Sequence, residues 1–186
     1  MFKSKLLIIL FLLSFISCAD NTLLIKELHT PNYIKLPLTV ESVNVFDERK
    51  NIVVRKLNIP TISFQGEKDE IEPVLSENHE AFIKEEAVKY FANSGTDVKV
   101  NVIIKEAIQR FSTSFTQEVE YVNVSLMINI YDGVHKPFLY SSSGEVFYQI
   151  NTLDASHEDF EQLYLKAFEA CINKLFEKIN ELTLQK

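Results

Sequence analysis

The stretch EVEYVNVSLMINIYDG, residues 118–133, decides the fold. Val122, Val124, Leu126, Ile128 and Ile130 recur at every second position, and Asn123, Ser125, Met127 and Asn129 stand between them. A period of two is that of an extended strand with one face toward a core, and the β-branched residues suit a pleated surface. Upstream, DVKVNVIIKEAI (97–108) alternates Val98, Val100, Val102 and Ile104 in the same way. Downstream, FLYSSSGEVFYQI (138–150) carries the aromatic residues typical of strands. An antiparallel meander is the simplest pairing of the three. Its connections are RFSTSFTQ (110–117) and DGVHKP (132–137), the second with Asp132-Gly133 and Pro137 as turn residues.

On either side of the meander the period changes to that of a helix. In ENHEAFIKEEAVKYFANSG (77–95), Phe82, Ile83, Ala87, Val88, Tyr90 and Phe91 share a face, and Gly95 is placed to close the helix. After the meander, Ser156 and Asp159 form a capping pair. Phe160, Leu163, Ala167, Phe168, Cys171, Leu175, Ile179 and Leu182 then keep one face apolar for about seven turns. Before the first helix, LTVESVNVFDERKN (38–51) and IVVRKLNI (52–59) read as two strands paired in a hairpin, and QGEKDEIEP (65–73) reads as a charged surface loop. The expected order is β-β-α-β-β-β-α. This is an α+β two-layer domain, a mainly antiparallel sheet of about five strands with two helices on one face.

The N-terminus has a different character. Lys3 and Lys5 precede an apolar run, Leu6 to Phe15, that ends at Ser17 and Cys18. That is the layout of an export signal over residues 1–17, and its roughly 10–12 apolar residues fall short of the about 20 that span a bilayer. The stretch LSFISC (13–18) resembles a lipobox, with Ile16 and Ser17 before the cysteine and Phe15 where leucine is usual. Cys18 is therefore the expected lipidation site, carrying diacylglycerol and an N-acyl chain such as palmitate. Several hydrocarbon chains hold a protein firmly where one does not. Residues 18–37, with Pro31 and Pro37, read as a tether, and residues 38–186 as one domain.

Composition narrows the partners. The chain has 19 basic and 26 acidic residues, a net charge of -7, and losing Lys3 and Lys5 with the signal makes it more acidic still. An acidic surface repels nucleic-acid phosphate and anionic headgroups, so neither is an expected partner. The lipid provides the membrane contact. With Cys18 acylated, Cys171 is left alone and no internal disulfide is expected. Cys171 lies on the apolar face of the C-terminal helix, where a thiol behaves as a small hydrophobe.

Catalytic and metal motifs are sparse. In HEAFI, His79 and Glu80 lack a second histidine at Ile83, so the zinc-protease pattern is missing. The other histidines, His29, His135 and His157, are far apart. Gly66, Gly95, Gly133 and Gly144 are the only glycines, which leaves no nucleophile elbow, phosphate loop or dinucleotide fingerprint. No catalytic residue, metal ligand or cofactor other than the lipid on Cys18 is expected. A hydrolase using two carboxylates is the alternative, since a carboxylate separation cannot be read from sequence.

Taken together, Cys18, the D-x-R of FDERKN, a helix ending KYFANSG before VKVNVIIKEAI, the strand YVNVSLMINIYDG and the capped C-terminal helix make the chain similar to the YajG-like bacterial lipoproteins. The resemblance spans roughly residues 18–182. It implies a periplasm-facing envelope lipoprotein with no recognised catalytic residues and no settled molecular role, and the family's sorting rules, with no acidic residue next to Cys18, imply the outer membrane. The anchor, the tether and the missing catalytic motifs point to a non-catalytic binding or assembly factor that touches another envelope protein. Asp47 and Arg49, two apart at the end of an extended run, point the same way. They either contact a ligand or partner, or pin the turn through a salt bridge and backbone hydrogen bonds.

Overall fold

The computed structural model describes residues 33–60, 64–114, 118–133, 138–150 and 156–184. Cys18, His29, His135 and the signal sequence lie outside them. The elements are β1 (Leu36–Asp47), β2 (Ile52–Val53), β3 (Lys68–Pro73), α1 (Glu77–Val88), β4 (Phe91–Thr113), β5 (Glu118–Tyr131), β6 (Tyr140–Ile150) and α2 (His157–Leu184). The expected α+β class holds, with two helices and a mixed, mainly antiparallel sheet among the described residues.

The meander is as the alternation predicts. β4 pairs antiparallel with β5 from Lys99↔Tyr131 to Thr113↔Glu118, and β5 with β6 from Glu120↔Ile150 to Ile130↔Tyr140. Val98, Val100, Val102 and Ile104 of β4 and Val122 to Ile130 of β5 are buried on one face. α2 lies across β5 and β6, and α1 packs on β1 and α2. Ser156 and Asp159 cap α2 reciprocally: the Asp159 N–H donates to Ser156 Oγ at 3.2 Å, and the Ser156 N–H to Asp159 Oδ2 at 2.8 Å. Gly144 of β6 lets the helix approach closely, since a Cβ there would stand 3.0 Å from Leu175 Cδ2.

Three expectations fail, each for a local reason. β1 and β2 form no hairpin; β1 runs parallel to β4 from Leu36↔Phe91 to Asp47↔Ile104, and the two-residue β2 pairs parallel with β3. The segment read as a loop contains β3, antiparallel to β4 from Lys68↔Ser112 to Ile71↔Gln109. One buried residue, Ile71, holds it to the core, while Arg55 takes Asp69 in two hydrogen bonds of 2.5 and 2.7 Å. Gly95 does not close α1. That helix ends at Val88 because Tyr90 and Phe91 enter the core, Tyr90 stacked on Phe176 at 4.4 Å and Phe91 edge-on to it at 5.4 Å. Gly95 sits in β4 at φ +88, where a Cβ would come within 2.5 Å of the Pro37 carbonyl oxygen.

Two irregularities reset the alternation so that apolar residues keep facing the helices. A register shift between Val40 and Ser42 lets Val40, Val43 and Val45 all pack against the core. Another between Ile104 and Glu106 turns Ala107 and Phe111 inward after Ile104. β1 opens at Leu36, within the stretch read as tether, and Tyr33 already packs on Tyr90 with ring centroids 5.1 Å apart.

Candidate functional site

β4 has 23 residues, and two strands share its flank end to end. β1 stops opposite Ile104 and β3 begins to pair at Gln109, so pairing lapses over the bulged segment between them. Buried backbone groups left there need partners. Arg49 supplies one. Its Nη1 donates to the Ala107 carbonyl oxygen and to the Tyr164 hydroxyl, each at 3.4 Å, and that hydroxyl donates to the same carbonyl at 3.2 Å. Asp47 grips the other side of the guanidinium in two bonds, Nε to Oδ1 at 2.8 Å and Nη2 to Oδ2 at 2.7 Å, and accepts the Arg49 N–H at 3.2 Å.

The Arg49 side chain is 0% exposed and that of Asp47 is 27% exposed. Burial pushes the Asp47 carboxyl up, but the Arg49 hydrogen bonds and charge outweigh it and hold the group below the usual carboxylate range. The same pairing keeps Arg49 charged against its own burial. The two residues that sequence reasoning singled out thus meet, as their spacing predicts. They close the break in the sheet from its helix-facing side.

The opposite face of this break is an open notch of about 730 Å³, lined by residues that include Glu48, Lys50, Glu70, Glu72, Lys105 and Glu106. Lys105 pairs with Glu48, Arg110 Nε with Glu70 at 3.3 Å, and Asn123 Nδ2 donates to Glu106 at 3.3 Å. Sequence reasoning missed the notch because it read residues 65–73 as a loop. Ile71 alone among charged neighbours carries no period-two signal.

Elsewhere the structure brings together groups that the sequence does not. Ser76, His79 and Glu161 line up, with Ser76 Oγ 3.0 Å from His79 Nδ1 and His79 Nε2 2.5 Å from Glu161 Oε1. The row resembles a hydrolase triad in composition only. The Ser76 N–H points at Nδ1 at 3.1 Å and the His79 N–H donates to Ser76 Oγ at 3.2 Å, so serine and imidazole form the capping box of α1. The contact of Nε2 with Glu161 ties α1 to α2. Cys171 is buried and burial pushes its thiol up to about 11, consistent with a packing role. Among the described residues, no three His, Cys, Asp or Glu side chains are placed to hold a metal ion.

Glu120 is the most deeply buried carboxyl among the described residues. It faces the helices opposite Phe111 at 0% exposure, and burial first, then the Glu118 carboxyl beside it, push it up to about 8. In the unfolded chain the group ionises near 4.5. Between these values the native state holds the extra proton, so stability falls as pH rises, by up to about 1.4 kcal/mol per unit. Replacing Glu120 with Gln should flatten that fall and raise Tm at pH 8 relative to wild type. Thermal melts across the window check this; parallel slopes for the two proteins would remove Glu120 as the cause.

No protein-family model matches the chain, and no curated protein does. Solved structures do. A Xanthomonas campestris protein of family DUF330 is 10% identical with a TM-score of 0.48, covering 84% of this chain and 93% of its own. A minor lipoprotein from Acinetobacter baumannii is 8% identical with a TM-score of 0.43, covering 79% and 96%. A candidate lipoprotein from Caulobacter crescentus is 14% identical with a TM-score of 0.37, covering 61% and 86%. At these identities and scores the likenesses assign no role to the notch or to Asp47 and Arg49.

Proposed function

We propose that this chain is a lipid-anchored envelope protein, held through Cys18 at the outer membrane, that faces the periplasm and acts by contact with another envelope protein. The observation that carries this reading is LSFISC, a lipobox-like stretch ending a short apolar run behind Lys3 and Lys5. Ala19 follows the cysteine where an acidic residue would favour retention at the inner membrane, as the resemblance to YajG-like lipoproteins implies. The domain reaches Tyr33 fifteen residues after Cys18, a stretch of chain that spans at most roughly 50 Å when extended. Confinement to so thin a layer raises the effective concentration toward any membrane-bound partner, and weak binding then suffices.

Cells expressing wild type and Cys18→Ala should differ on fractionation. Wild type goes to the membrane pellet, while the variant appears in the soluble periplasmic fraction with its fold kept and its function lost at normal expression. Equal distribution of the two proteins would sink the anchor. The hydrolase alternative has its own signature. Purified protein would turn over an envelope substrate and lose that activity on replacing a single carboxylate.

A further inference from the structure

The two long edges of the sheet are finished differently. On β6, α2 reaches over to the free carbonyls: Lys178 Nζ donates to Ser143 O at 3.0 Å and Lys174 Nζ to Glu145 O at 2.8 Å. Capping an edge with lysine blocks the addition of another strand. On β1 only the first half is protected, by Pro37, the shift between Val40 and Ser42, and exposed Glu41. From Ser42 to Asp47 the strand is regular.

Which main-chain groups of that regular half face outward follows from one bond. The Glu48 N–H donates to Ile104 O at 3.1 Å across the Asp47↔Ile104 pair. In a parallel ladder every second residue turns both its N–H and its C=O to the neighbouring strand, so Asn44 and Phe46 bond β4. Val43 and Val45 present theirs to the open side, and among the described residues nothing takes them. Their side chains are half-buried against the core, while Phe46 on the other face is 47% exposed.

We propose that this edge, Ser42–Asp47, is where the envelope partner binds, by laying one extended segment of its chain along β1 as a further strand. This deepens the contact reading above and rests on it. The recognition is main-chain hydrogen bonding to Val43 and Val45, with apolar side chains of the segment at alternate positions beside those valines and Phe46. A second copy of this chain is the poorer occupant. Each copy carries a net charge of -7, and like-charged surfaces repel, whereas a segment with basic residues between its apolar ones is attracted.

Residue-resolved amide exchange on the full chain in detergent micelles tests this. The probe is a synthetic peptide about eight residues long, alternating valine and lysine, the length of one strand. Without peptide, the Val43 and Val45 amides should exchange fast and those of Asn44 and Phe46 slowly. Saturating peptide should slow Val43 and Val45 by about tenfold or more and leave the β6 amides unchanged. Val45→Pro removes only an outward N–H, so it should keep the β4 ladder and lose the peptide effect at Val43. The proposal is overturned if Val43 and Val45 are already protected without peptide, including protection that grows with protein concentration and so assigns the edge to a second copy. It is also overturned if saturating peptide changes nothing. Membrane fractionation of Cys18→Ala reads the anchor independently, so a closed edge with an intact anchor rejects this inference alone.

Discussion

Replacing Arg49 with Ala is expected to cost about 3–5 kcal/mol, the range for removing one partner of a buried ion pair. The guanidinium is fully buried and satisfies Asp47 and the Ala107 carbonyl at once. Truncation leaves the Asp47 carboxylate without its counter-ion and the carbonyl with the Tyr164 hydroxyl alone. Urea unfolding of wild type, Arg49→Ala, Asp47→Ala and the double variant measures the coupling. The double variant should be less damaged than the sum of the singles, because neither charge is then left unpaired. Acid should act in the same direction. Asp47 is held below its ordinary 3.8, so the pairing contributes fully above that value and is lost as pH falls through the lower folded value. A cost under about 1 kcal/mol for Arg49→Ala would mean that the break between β1 and β3 is closed by something else.

Those two residues show how far the sequence was legible. The D-x-R spacing in an extended segment predicts side chains on one side, and the bidentate pair follows. The target of Arg49, the Ala107 carbonyl 58 residues away, has no local signature, because it depends on where two other strands stop. The meander and the capped C-terminal helix were legible because long periodic segments with a buried face admit one reading. The parallel pairing of β1 was not, since alternation predicts a strand but says nothing of its neighbour. β3 was hidden for a different reason: Ile71 is its one buried residue, and the charges around it are those of a loop until Arg55 and Arg110 are seen to hold them. Glu120 extends the alternation of β5 by one step, so its inward direction was readable. The burial that follows was not expected of an acid.

Leu175→Ala should cost about 2–5 kcal/mol, because α2 seats on the sheet through this side chain and its removal leaves a cavity. Leu175 is 0% exposed and meets the bare backbone at Gly144. Lys178, three residues on, is exposed and donates one hydrogen bond to Ser143 O, so Lys178→Ala should cost well under about 1 kcal/mol. The seat itself can be tested through its partner. Gly144→Ala in the wild-type background places a Cβ 3.0 Å from Leu175 Cδ2, which forces the leucine or the helix to give. In the Leu175→Ala background that neighbour is gone, and the added methyl instead fills part of the space left behind. The two substitutions should therefore be non-additive, the double variant melting higher than the sum of the single effects. Simple additivity in thermal melts would show that the helix does not rest on Gly144, and that the close approach there is not what fixes α2 on the sheet.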